Sequence, residues 1–87
     1  MRVTLISPDR SVYDGDATAV VVPAYDGLIG VLPAHAPFVA LMGAGVLTVN
    51  HGGGVSRYHV AGGFLQVAGD VVRVVAEQAD ETIKEGA

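Results

Sequence analysis

The chain has no cysteine among its 87 residues, so neither a disulfide framework nor a thiolate metal site is open to it, and a reducing compartment fits. Charge is also scarce. Only 16% of the residues are charged, where about 25% is usual. Five Lys and Arg stand against nine Asp and Glu, giving a net charge of −4 with no basic run, which argues against nucleic acid as a partner. The opening Met1-Arg2-Val3-Thr4 has no charged-then-apolar leader. The longest nearly apolar run, Phe38 to Leu47, is broken by Gly43 and Gly45 and falls well short of the ~20 residues that span a bilayer. One soluble domain is expected.

Half of the residues (51%) are hydrophobic. A small domain has a high surface-to-volume ratio and needs more polar residues than average, not fewer. The surplus therefore sits exposed or is covered by a larger assembly. The most constrained stretch is Asp26-Gly27-Leu28-Ile29-Gly30-Val31-Leu32-Pro33-Ala34-His35-Ala36-Pro37. Its glycines permit backbone angles closed to other residues, and its prolines fix φ and withdraw N–H donors. Such a segment reads as turn, short strand, turn at the edge of a β domain.

Valine-rich runs separated by Gly, Pro and Asp recur along the chain and predict an all-β sandwich. Strands are expected at Arg2 to Ser7, around Val12 and Tyr13 with a turn at Asp14-Gly15-Asp16, and at Thr18 to Val22 closed by Pro23. Further strands are expected at Ile29 to Leu32, Phe38 to Met42, Val46 to Asn50, Val55 to Val60, Phe64 to Ala68 and Val71 to Ala76. Alternation puts Tyr58, Val60, Leu65, Val67, Val72 and Val74 inside, with Arg57, His59, Gln66 and Arg73 outside. The outer face nevertheless carries Phe64, Val71 and Val75, as a partner-binding sheet would. From Glu77 the sequence turns polar and favourable to helix, so residues 78–87 are expected to form a tail or a frayed helical turn after a sandwich over residues 1–77.

No motif supplies an active site. His51-Gly52-Gly53-Gly54 matches the glycine-rich oxyanion loop of lipases, but no serine lies in a Gly-x-Ser-x-Gly elbow, so the loop reads as a hairpin connection. His35, His51 and His59 lack ligand spacing for zinc. Asp14 and Asp16 flank a glycine as turn residues do. Small all-β lipoyl or biotinyl carriers display a lysine at a tight hairpin, whereas the single lysine here, Lys84, falls in the polar tail.

The Asp26–Pro37 stretch resembles the acidic-Gly-x-(Ile/Leu)-Gly-(Ile/Val)-x-Pro-x-His-(Ala/Ile)-Pro signature of the ATP synthase ε subunit. Tyr58-His59-Val60-Ala61-Gly62-Gly63-Phe64-Leu65-Gln66-Val67 is similar to a strand pair of that family. Val71 to Glu77 resembles the strand that ends its N-terminal domain, and the opening with Ser7-Pro8 and Val12-Tyr13-Asp14-Gly15 also fits. The resemblance implies a flattened β-sandwich of about ten strands. It further implies a non-catalytic role without cofactor or metal, in the central stalk between the γ subunit and the c-ring, coupling proton flow to ATP synthesis. The place implied is peripheral, at the cytoplasmic face of the bacterial inner membrane. By motif position, Asp26, Gly27 and Leu28 would face the ring, while Ser7, His35 and Ala40 would lie toward γ, with Phe38 beside them. Leu28 departs from a common polar residue, and Ala34 from a common glycine or asparagine. The family's two-helix hairpin would begin about where this chain stops at Ala87, so ATP binding is not expected. The rival is a stand-alone all-β ligand-binding or carrier module.

Overall fold

The computed structural model describes the backbone of residues 1–85 and the side chains of residues 1–81. It contains eight strands: β1 (Arg2–Ser7), β2 (Arg10–Asp16), β3 (Ala19–Ala24), β4 (Gly27–Val31), β5 (Phe38–Leu41), β6 (Ala44–His51), β7 (Gly54–Ala68) and β8 (Val71–Glu85). They pair in the order β2-β1-β8-β7-β6-β3-β4, with β5 on the second half of β7. All pairs are antiparallel except β1 with β8, which runs parallel from Arg2↔Val71 to Ile6↔Val75. The all-β sandwich expected from the sequence is the fold observed.

Two long strands make one continuous sheet into two layers. The first half of β7 pairs with β6 and its second half with β5. The first half of β8 pairs with β1, while its later residues stay beside the early part of β7. Counting each half of β7 and β8 separately gives the ten segments of the expected sandwich. The bend falls at Gly62 (φ 68°) and Gly63 (φ 101°), opposite Ala76 and Glu77. A Cβ on Gly63 would overlap the Val75 carbonyl oxygen, so close approach of the two backbones demands glycine there.

The inward faces of both layers meet in one core. Val3, Leu5, Val20, Val22, Leu47, Val49, Leu65, Val67, Val72 and Val74 are all 3% exposed or less. The expected alternation holds for buried Tyr58 and Val60 and for exposed His59, Gln66 and Arg73, whereas Arg57, expected outside, is half-buried beside the register shift between Ser56 and Tyr58. Burial of apolar side chains at about 25 cal/mol per Å² is what selects this register, since a one-residue slip would expose every one of them.

Three local expectations are corrected. Asp14-Gly15-Asp16 belongs to β2 rather than to a turn, paired with Thr4, Val3 and Arg2. The Arg2 guanidinium lies 2.7 Å from Asp14 Oδ1 across that pair. Pro23 sits inside β3 instead of ending it. Its donorless nitrogen points past the end of the β3–β6 ladder, which covers only Ala19–Val21, and its carbonyl accepts the Gly43 N–H at 2.9 Å. The polar residues from Glu77 to Glu85 continue β8 as a strand, with Ala76 and Ala79 buried. Backbone pairing to β7 outweighs their helical propensity. Residues 86 and 87 of the expected tail lie outside the described residues.

Candidate functional site

β5 is a four-residue strand, and its alternation divides it cleanly. Phe38 and Ala40 are half-buried, with Phe38 packed against the core, while Val39 and Leu41 are 67% and 68% exposed. Pairing carries the outward side of β5 across the layer. Leu41 lies opposite Phe64, Phe64 opposite Val75, and Val75 opposite Ile6. These four side chains form an apolar row over four strands. They line an open groove of about 670 Å³ together with Ser7, Pro8, Gly63, Ala76 and Glu77. The next row outward, Val39-Gln66-Arg73-Thr4, is mixed.

Of the residues that the resemblance assigned to partners, Ser7 is the one that lines this groove. Its hydroxyl donates to Asp9 Oδ1 at 3.0 Å, in the turn from β1 to β2. His35 is exposed in the loop between β4 and β5. Its Nδ1–H donates to the Ala36 carbonyl at 2.8 Å, and its ring lies 4.9 Å from that of Phe38 at 53°. Phe38 and Ala40 face the core side of their strand, so they support the surface from beneath. Asp26, Gly27 and Leu28 sit apart from the groove's lining, in the two-residue hairpin loop Tyr25-Asp26 and the start of β4. That turn exposes Tyr25 and Leu28 by 81% and 72%. The greasy outer face was visible in Phe64, Val71 and Val75. Leu41 and Ile6 were missed, although period-two alternation from half-buried Phe38 would have found Leu41.

The glycine-rich hairpin joins β6 to β7 and contains a polar chain the sequence did not reveal. The Gly53 N–H donates to His51 Nδ1 at 3.1 Å, which leaves Nε2 as the protonated nitrogen, donating to Ser56 Oγ at 2.9 Å. Ser56 is 1% exposed and lies two residues before buried Tyr58 on β7. Tyr13 stacks on His51 with ring centroids 6.2 Å apart. A serine–histidine nucleophile requires a free imidazole nitrogen facing the hydroxyl. Here that nitrogen holds the proton, so the pair braces a hairpin. Burial raises the pKa of Tyr58 above 10.0, with the Ser56 hydrogen bond working in the opposite direction.

A filled interlayer core and an apolar outer row define a small β-sandwich that offers surfaces rather than reacting groups. The sequence model described as "ATP synthase, Delta/Epsilon chain, beta-sandwich domain" matches residues 1–82, and the chain belongs to that family. It is 40% identical over 80 residues to the ATP synthase epsilon chain of Alkalihalophilus pseudofirmus, covering 92% of this chain and 60% of that protein. To the epsilon chain of Symbiobacterium thermophilum it is 43% identical over 81 residues, covering 92% and 58%. The chain thus spans about 60% of the length of such relatives. The fold matches a chain of the Euglena gracilis mitochondrial ATP synthase (OSCP/F1/c-ring) with TM-score 0.83 and 28% identity, covering 91% of this chain and 51% of that one. A chain of the Tetrahymena thermophila mitochondrial ATP synthase central stalk and c-ring shares the fold, with TM-score 0.76 and 12% identity.

Proposed function

We infer that this chain is the sandwich portion of a non-catalytic ε subunit in a proton-translocating ATP synthase, seated in the central stalk between γ and the c-ring. It would help lock γ to the ring so that proton flow drives ATP synthesis, peripheral to the membrane at the cytoplasmic face of a bacterial inner membrane. The observation that carries the reading is the Ile6-Val75-Phe64-Leu41 row on a sandwich of this family. Solvent-exposed apolar rows of this kind mark a face that a partner covers. We assign the row, with Ser7 at its rim and His35 above Phe38, to γ. The Asp26-Gly27-Leu28 turn is assigned to the ring, where exposed Leu28 would make an apolar rather than a charged contact.

Gel filtration and calorimetry with the cognate γ subunit test the assignment. A one-to-one complex is expected. Fully covering a Leu or Phe side chain contributes about 1.5–3 kcal/mol, and about 1.4 kcal/mol is tenfold in affinity. Leu41→Asp and Phe64→Asp should therefore each weaken γ binding at least about tenfold while circular dichroism stays unchanged. Indifference of the unaltered chain to γ would overturn the reading and favour a stand-alone binding module.

A further inference from the structure

The sheet has an outer strand at each end of its pairing order, and the two are built differently. β2 carries Arg10, Asp14 and Asp16, charges of the kind that discourage edge-to-edge pairing. β4 reads Gly-Leu-Ile-Gly-Val and has no charge, no proline and no bulge. Its free edge can be read from the register. Pro23 faces Leu28, and the Pro23 carbonyl is turned away to the Gly43 N–H, so Leu28 and Pro23 are a non-hydrogen-bonded pair. The N–H and C=O of Leu28 therefore point away from β3, and those of Gly30, two residues on, do the same. These four groups sit at a two-residue spacing on a strand whose outward positions, Leu28 and Gly30, are both exposed.

We propose that β4 pairs antiparallel with β4 of a second copy about a two-fold axis through Ile29, joining two sandwiches by one continuous sheet. In that register Leu28 stands opposite Gly30 of the second copy, and the outward groups of both residues make four hydrogen bonds. The register is self-complementary in shape. Leu28 is 72% exposed, and Gly30 has no atom within 4 Å of where a Cβ would stand, so each leucine lies over the other copy's empty position. Half-buried Ile29 meets its own counterpart on the core side, and Asp26 falls opposite Leu32, so no like charges face one another. An isologous contact of this kind closes on itself and stops at two copies. Leu28 is also the side chain assigned above to the ring, so the pairing belongs to the chain free of the ring and competes with that contact.

A contact built on one five-residue strand belongs to the small, weak class of interfaces, with a dissociation constant of about 0.1 mM expected. Sedimentation equilibrium of the chain from about 10 µM to about 1 mM should show the weight-average mass rising toward twofold. Gly30→Pro removes an edge-facing N–H where proline is tolerated, and should weaken association at least about tenfold with circular dichroism unchanged. Amide exchange by NMR gives an independent reading. Leu28 and Gly30 should gain protection as concentration rises, while Ile29, bonded to β3, should not change. If the proline variant does not fold, Leu28→Lys and the exchange data decide alone. A chain that stays monomeric at about 1 mM, or a folded Gly30→Pro variant that associates as before, overturns the proposal.

Discussion

Ala34 is the one non-glycine residue with a positive φ, 66°, among the described residues. For an L-residue with a Cβ this left-handed conformation costs about 1–2 kcal/mol. The turn tolerates it because Pro33 and Pro37 restrict the chain on either side and the His35 N–H reaches the Leu32 carbonyl at 3.3 Å. Glycine would remove the strain, while adding freedom to the unfolded chain. Ala34→Gly is accordingly expected to stabilise the chain by about 0.5–1 kcal/mol, read as an increased midpoint in thermal denaturation. The family resemblance implied glycine or asparagine as the commoner residue at this position, and the left-handed turn gives a physical reason for it.

At the scale of elements, the two glycines of the β7 bend differ in what replaces them. A Cβ on Gly63 would run into the Val75 carbonyl, which is backbone and cannot give way. A Cβ on Gly62 would meet the end of the Glu77 side chain, which can swing aside into solvent. Gly62→Ala should cost about 1–2 kcal/mol, chiefly from its φ of 68°. Gly63→Ala should cost more than about 3 kcal/mol and straighten or unfold the crossing. Urea denaturation of both variants checks the order, and equal losses would show that the backbone contact is not limiting. This bend also explains what was hard to read. Phe64 to Ala68 and Val55 to Val60 look like two strands because Ala61-Gly62-Gly63 resembles a turn, yet the chain only changes layer there. Glu77 to Glu85 offered few large apolar residues to signal a strand, and among its described side chains only small Ala79 is buried, with Ala76 just before it. By contrast, the Leu65/Val67 and Val72/Val74 alternation was legible at once, because each of those strands has one face in the core.

For the molecule as a whole, the core includes one aromatic that can ionise. Tyr58 is 2% exposed, and desolvation raises its pKa, with the Ser56 hydrogen bond opposing and Glu81 adding to the rise. A folded-state pKa raised above the unfolded value means that stability is intact below about pH 10 and falls as pH climbs through the raised value. Alkaline titration should unfold the chain in that window. Tyr58→Phe should displace the transition to higher pH, whereas an unmoved transition would mean that another group governs it. The apolar outer row was legible only as a tendency. Composition showed too little charge for so small a body, but the row that gathers Ile6, Val75, Phe64 and Leu41 joins strands far apart in the sequence. No local pattern could announce that registry.

The two strands shared by both layers have a mechanical consequence. A sandwich whose halves touch only through side chains can slide or peel apart along that seam. Here the same main chain crosses the seam twice, at Gly62-Gly63 and at Ala76-Glu77, so twisting one layer drags the other through covalent bonds. The domain would behave under load as a folded bracket rather than as two stacked plates.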